Sequence, residues 1–121
     1  MSETDAVALA QSLFANAQTA YAIFLSLISG YLVVAHFMGP TLSKGQVVIV
    51  NFLFSSTSVY TMYIWHSFSS TGMYYSHIAA ELRGDHHYGD QYTLFLGLGF
   101  NASLVIAALV FMWIVRHPKK E

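Results

Sequence analysis

Histidines and acidic side chains gather in one short stretch of this sequence and could support metal or proton chemistry. Imidazole and carboxylate together bind zinc, copper or nickel, and histidine can instead titrate near neutral pH. No fixed motif such as HExxH is present, so the alternative is a solvated polar loop. The candidate metal-binding or pH-sensing residues are His77, Glu81, Asp85, His86, His87 and Asp90.

Haem ligation is a separate hypothesis for two histidines outside this stretch, His36 and His66. A haem held between helices needs two histidines at matching membrane depth. In a three-crossing topology His36 and His66 fall on opposite sides of the bilayer. The chain has no cysteine, which excludes disulfides, thiolate chemistry and cysteine-ligated clusters. The sequence therefore names no cofactor.

Four polar side chains in apolar surroundings are candidates for a pore or for fixing helix register: Asn51, Ser55, Ser58 and Asn101. The first three share one helical face at i, i+4 and i+7. Such a face could line a polar path in an oligomer, although a selective pore normally shows charged rings or a carbonyl filter. Uncharged polar groups inside a bilayer should face protein, so they could equally pair and fix register.

Small residues recur every four positions in two apolar segments. The first stripe is Ala22, Ser26 and Gly30, and the second is Gly99, Ser103 and Ala107. In lipid, where little hydrophobic force drives helices together, small residues let backbones approach closely. We expect both stripes to pack helices, either within one bundle or between chains.

Aromatic side chains crowd one end of the second and third apolar segments. Rings that are apolar in the body and polar at the tip favour the membrane interface, so most of these residues should form an interfacial belt. A quinone or lipid pocket is the alternative, which aromatic density alone does not distinguish. The residues are Tyr60, Tyr63, Trp65, Phe68, Tyr74, Tyr75, Tyr88 and Tyr92.

The charge distribution identifies the elements that carry these residues. Five basic and six acidic residues are the only formal charges among 121 residues. They leave uncharged runs of 38, 36 and 25 residues, whereas about 20 apolar residues already span a bilayer core. We therefore predict an all-α integral membrane protein with three transmembrane helices.

The predicted helices form a single domain over residues 1–121. Gly39-Pro40 should end the first helix, Ser43 with Gln46 fits a capping box that opens the second, and Gly84 is a natural stop. Residues 4–19 could continue the first helix or bend and lie on the membrane surface; we prefer a continuous helix, because no Gly or Pro interrupts it before Gly30. The helices are predicted at about 5–38, at 46–67 with an extension to 83 left open, and at 92–116.

Orientation follows from the flanking charges. Lys44 lies in the first loop and Arg116 begins a basic tail, while acid dominates the N-terminus and the second loop. Because Lys and Arg accumulate in cytoplasmic loops, we expect the N-terminus outside and the C-terminus inside. The acidic start also lacks the basic front of a signal peptide, so we expect a mature chain.

These features favour a small, non-enzymatic integral membrane subunit, either homo-oligomeric or accessory to a larger complex. Its expected partners are the lipid bilayer and either itself or other membrane subunits, with no nucleic acid, in a bacterial inner membrane or an equivalent membrane. The alternatives are an oligomeric channel or transporter lined by the second helix, and a metal or haem redox protein that uses the outer-loop histidines. No catalytic motif supports an enzyme.

Overall fold

The described residues of the computed structural model, 2–84 and 91–118, form three long α-helices and contain no strand. The helices are α1 (Glu3–Met38), α2 (Lys44–Arg83) and α3 (Gln91–Arg116), and a short 3₁₀ turn, Gly39–Thr41, follows α1. All three helices are long and apolar enough to cross a membrane, which fits a multi-pass membrane protein.

Helix α1 is one unbroken helix and begins two residues before the predicted start. Ser2 caps it: the Asp5 backbone N–H donates to the Ser2 hydroxyl at 3.2 Å, and the Ser2 N–H donates to the Asp5 carboxylate at 3.4 Å. This reciprocal pair satisfies donors that a helix start leaves without intrahelical partners. The helix ends at Met38, and the N–H of Gly39, the capping residue, donates a hydrogen bond to the Ala35 carbonyl.

Helix α2 continues without interruption to Arg83, so the extension beyond residue 67 that the sequence left open is helical. The capping box at its start is confirmed, with the Gln46 N–H donating to the Ser43 hydroxyl at 3.2 Å and the Ser43 N–H donating to the Gln46 side chain at 2.9 Å. The serine and threonine run does not break the helix; the Thr61 hydroxyl, for example, bonds back to the Thr57 carbonyl. Gly84 ends it at φ +77°, a left-handed conformation that suits glycine.

Antiparallel packing of α1 on α2 organises the chain. Tyr31 stacks on Phe54 with ring centroids 4.0 Å apart, and the Tyr21 and Trp65 ring centroids are 6.5 Å apart. At the far end of the pair, Arg83 and Glu3 form an ion pair with a 3.6 Å N–O distance. These contacts fix one alignment along the whole length of both helices.

Helix α3 covers only part of this pair. Gly97 lies against Trp65, so closely that a Cβ there would come within 2.6 Å of the indole ring. Counting up each helix from that contact at 1.5 Å per residue places Gln91 level with about Thr71. Residues 72–83 therefore extend about 18 Å beyond the start of α3.

The molecule thus has two parts with different interiors. The two-helix end comprises residues 3–14 and 72–83, and the three-helix part comprises 15–38, 44–71 and 91–116. The buried residues of the two-helix end are Ala6, Ala10, Gly72, Ala79 and Ala80. The main core of the three-helix part is built from Phe24, Ile28, Tyr31, Ala35, Phe54, Ala108 and Met112.

Candidate functional site

Both small-residue stripes lie on the outside of the chain. All six residues, Ala22, Ser26, Gly30, Gly99, Ser103 and Ala107, are exposed. Ser26 and Ser103 each bond back to their own helix, donating at 2.9 Å to the carbonyls of Ala22 and Gly99. The expectation that these stripes pack helices inside one bundle does not hold, because a different face of each helix does so. Packing between chains stays a prediction.

The face that packs α1 within the chain follows another series of residues. Its steps are mixtures of three and four residues, and the large side chains occupy its middle, between four alanines on one side and Ala35 on the other. A core face needs this step pattern, whereas a strict step of four drifts around the helix axis. The buried residues of α1 are Ala6, Ala10, Ala17, Ala20, Phe24, Ile28, Tyr31 and Ala35.

The two outer stripes lie at the same level along the bundle. Tyr21 and Gly97 both approach Trp65, so they share one level. The α1 stripe begins one residue past Tyr21 and the α3 stripe two residues past Gly97, an offset of about 1.5 Å. Both helices run in the same direction and both stripes repeat every four residues, so the match persists along their length.

Asn51 has a partner that the sequence did not suggest. The Tyr31 hydroxyl donates a 2.6 Å hydrogen bond to the Asn51 side-chain carbonyl, beside the Tyr31–Phe54 stack. This bond ties α1 to α2 in an apolar region, where few competing partners exist. A role of Asn51 in fixing the register of these two helices stays a prediction. In the sequence, the position of Tyr31 within an aliphatic segment could have indicated that its hydroxyl needs a polar partner.

The remaining pore or register candidates face different surroundings. Ser58 and Asn101 are buried, and the Ser58 hydroxyl and the Asn101 side-chain carbonyl lack hydrogen-bond partners in the part of the chain that the structure describes. Ser55 is half-buried. With Asn51 bonded to Tyr31 and Ser58 inside the core, the geometry of one chain does not support a polar path past Asn51, Ser55 and Ser58.

A long groove runs along one side of the α1/α2 pair. It consists of two cavities of about 460 and 510 Å³ that share Thr57. On α1 its lining includes Asn16, Thr19, Ile23, Ser26, Gly30 and Val34. On α2 it includes Val50, Leu53, Thr57, Tyr60, Ile64 and Phe68. No local pattern in the sequence indicates this groove, because it arises from how two helices align.

The candidate metal site falls mostly on residues that the structure does not describe. Asp85, His86, His87 and Asp90 lie outside the described ranges. Of the other two candidates, His77 is half-buried and Glu81 exposed near the end of α2. Across residues 2–84 and 91–118 no group of three or more metal-binding side chains comes together.

The two histidines considered for haem are far apart along the bundle. His36 lies at the last turn of α1, against Phe37. His66 follows Trp65 on α2, its ring near that of Phe95, and its Nδ1 atom is buried without a partner among the described residues. In the α1/α2 alignment their levels differ by about 24 Å. One chain does not bring them to a common haem.

Arg116 joins the C-terminal end of α3 to the first loop. Its guanidinium donates to the carbonyls of Gly39 at 2.8 Å and Leu42 at 2.6 Å. These carbonyls lie just past the end of α1, where the helix dipole favours a cation; the Gly39 carbonyl also accepts a 3.4 Å bond from the Leu42 N–H in the 3₁₀ turn. Two features of the sequence could have indicated this contact: the end of the first helix at Gly39-Pro40, and the single arginine that follows the last apolar run.

Comparisons of the chain with protein-family models, with curated proteins and with solved structures found no match.

Proposed function

We propose that this protein is a non-enzymatic integral membrane subunit that functions by assembling with further copies of itself. The observation that carries the proposal is the pair of exposed small-residue stripes, one on α1 and one on α3, at the same level and with the same direction. An accessory role in a larger complex is the alternative.

The depth match favours copies side by side in one membrane. Two chains inserted with the same orientation can bring the α1 stripe of one against the α3 stripe of the next with little vertical shift. Small side chains let the two backbones approach, which is the main source of helix association in lipid. Because the contact joins two different surfaces, it repeats from chain to chain and closes into a ring if the rotation allows.

The distance between two contacts along the bundle favours one position of the chain in the bilayer. We assign one membrane boundary to the contact of Tyr21 with Trp65 and the other to the contact of Arg116 with Gly39. Tyr21 and Gly39 are 18 residues apart on α1, which is about 27 Å and close to the thickness of a bilayer core. The two-helix end would then project from the surface on the Tyr21 side.

The charges favour one orientation of this arrangement. Lys44 and Arg116 lie at the same end of the bundle, since Arg116 contacts the loop that precedes Lys44. The positive-inside rule assigns that end to the cytoplasm. The proposal therefore has the N-terminus outside and the C-terminus inside, in a bacterial inner membrane or its equivalent.

Cysteine cross-linking in membranes tests the assembly directly, because the natural chain has no cysteine. One differently tagged copy would carry Ser26→Cys and the other Ser103→Cys, both exposed positions at matching depth. A disulfide requires Cα atoms within about 7 Å, so only close stripe-to-stripe contact gives a covalent pair. We expect mixed-tag dimers on mild oxidation.

The control pair replaces Ser26→Cys by Val59→Cys, an exposed α2 position outside both stripes. We expect no mixed-tag dimer from this pair. Dimers of equal yield from both pairs would reflect random collision and contradict the proposal. A chain that forms no dimer but co-purifies with another membrane protein would support the accessory alternative.

A further inference from the structure

Two cationic side chains, Lys44 and Arg116, lie close together at one end of the bundle, and we call them the basic pair. Arg116 donates to the carbonyls of Gly39 and Leu42, so its guanidinium is held against the first loop. Leu42 lies two residues before Lys44, a separation of at most about 7 Å along the chain. The loop contact therefore brings the end of α3 next to the start of α2.

Both cations lie on the side of the bundle where α2 meets α3. Met62 of α2 and Leu98 of α3 line one cavity between these helices. Lys44 precedes Met62 by 18 residues on α2. Arg116 follows Leu98 by the same number on α3, and 18 residues are about five turns of an α-helix. Each cation therefore lies on the same face of its helix as the cavity residue. We call this side, defined by Lys44, Met62, Leu98 and Arg116, the α2/α3 flank.

The basic pair has hydrogen-bonding capacity that the chain does not use. Both Arg116 bonds come from Nη1, so its Nε and Nη2 groups have no partner within residues 2–84 and 91–118. Lys44 is exposed and forms no ion pair within those ranges. No acidic residue occurs in 36–52 or 98–118. The complement of this site is an anion, because guanidinium and ammonium groups bind phosphate oxygens by charge-assisted hydrogen bonds.

Exposed apolar side chains continue from the basic pair along the flank. Val48 and Phe52 follow Lys44 at steps of four on α2 and are 67% and 68% exposed. Trp113, one turn before Arg116 on α3, is 62% exposed. In the bilayer position proposed above, the basic pair lies at the cytoplasmic boundary and these side chains lie in the hydrocarbon. A ligand that matches both parts has an anionic head and hydrocarbon tails.

We propose that the cytoplasmic end of the α2/α3 flank binds an anionic phospholipid. The phosphate lies between the Lys44 ammonium and the Arg116 guanidinium, and an acyl chain follows Val48 and Phe52. This site depends on the membrane orientation proposed above but not on the assembly. Arg116 and Ser103 are 13 residues apart, which is about 140° around α3, so the flank and the α3 stripe face different ways.

Native mass spectrometry of the full-length protein in detergent tests the proposal with phosphatidylglycerol as the probe. Phosphatidylcholine with the same acyl chains is the competing lipid, because it carries a phosphate but no net charge. We expect one phosphatidylglycerol per chain and an affinity for phosphatidylcholine that is lower by about tenfold. Equal retention of the two lipids would overturn the proposal. Displacement of the lipid by inorganic phosphate at the same concentration would also overturn it, because the site would then bind free anions.

Variants of Lys44 locate the head group. Lys44→Gln should lower the affinity for phosphatidylglycerol about fivefold, because each cation near an anionic lipid strengthens binding by about that factor. Lys44→Arg keeps the charge and should retain the lipid. The matched control is Arg83→Gln, which removes the same charge at the opposite end of the bundle, beside Glu3, and should leave the affinity unchanged. Equal losses in Lys44→Gln and Arg83→Gln would assign binding to net charge and contradict the site.

The same spectra separate this site from the proposed assembly, because they count chains and lipids together. Gly99→Leu changes the exposed α3 stripe and should yield single chains that each still carry a lipid. Single chains without lipid in this variant would show that the site needs a neighbouring copy, which contradicts a site within one chain. Wild-type protein found as single chains with one bound phosphatidylglycerol would contradict the assembly and support the lipid site.

Discussion

In the two-helix end the buried residues are alanines and a glycine, whereas the three-helix part buries Phe24 and Met112 almost completely. The outside shows the reverse pattern, because the stripe residues around Ser26 and Ser103 are exposed on the three-helix part. Small residues therefore serve two purposes in one chain. In the two-helix end they let α1 and α2 approach each other, and in the three-helix part the stripe residues lie on the outer surface.

The difference has a physical basis in the number of neighbouring helices. Two helices alone can exclude solvent from their contact only if they come close together, which favours Ala and Gly at the seam. Adding α3 creates a central space that larger side chains such as Phe24 and Met112 fill.

Gly97→Leu should have the largest effect. A Cβ at Gly97 would meet the Trp65 ring at 2.6 Å, so the Trp65 side chain or α3 must shift, and overpacking of this kind costs about 1–3 kcal/mol. Gly45→Leu is the matched control, since Gly45 lies outside both stripes and a Cβ there would have no neighbouring atom within 4 Å among the described residues. Thermal unfolding in detergent should show a lower midpoint for Gly97→Leu alone, and equal loss in both variants would contradict the assigned faces.

Arg116→Gln should have the next largest effect. It removes two charge-assisted bonds to Gly39 and Leu42 and should lower the free energy of unfolding by about 2 kcal/mol. Lys44→Gln removes the same charge from the same end of the bundle at an exposed position. The two variants should differ clearly in chemical denaturation; a similar loss in both would assign the effect to charge alone.

Ala10→Leu should affect only the two-helix end. Ala10 is 5% exposed in the seam, so a larger side chain should force α1 and α2 apart there at a cost of about 1–2 kcal/mol. Ala8→Leu places the same side chain on the exposed side of α1. Hydrogen exchange should accelerate in residues 3–14 and 72–83 for Ala10→Leu and not in the three-helix part. Faster exchange throughout would mean that the two parts are not separable.

Glu3→Gln should have the smallest effect. The Glu3–Arg83 pair has a 3.6 Å separation and about half of each side chain is exposed, so the pair should contribute below about 0.5 kcal/mol. Hydrogen exchange near Arg83 should change little, and less at high salt. A loss comparable to that of Ala10→Leu would show that charge rather than the alanine seam holds this end together.

Much of the helical architecture could be predicted from the sequence. Uncharged runs longer than a bilayer crossing indicated three helices, and Ser43 with Gln46 and then Gly84 correctly indicated where α2 is capped and where it stops. These signals are local, since each depends on residues within one or two turns of each other. The alignment of separate helices has no such local signal.

The faces and partners of the helices were harder to predict for that reason. A repeat of small residues indicates a surface that can pack closely, but not whether the partner helix belongs to the same chain. The Tyr31–Asn51 bond and the contact of Arg116 with Leu42 join residues 20 and 74 positions apart. Only the antiparallel alignment of α1 and α2 and the level of α3 bring them together.

Assembly of this chain with further copies of itself can be measured from the mass of the purified protein in lipid nanodiscs. We expect a protein mass of at least two 13.5 kDa chains. Gly99→Leu should reduce it to single chains, because it fills the α3 stripe at a position where a Cβ meets no described atom within 4 Å. A wild-type protein found only as a single 13.5 kDa chain, with no second protein bound, would contradict the proposed assembly.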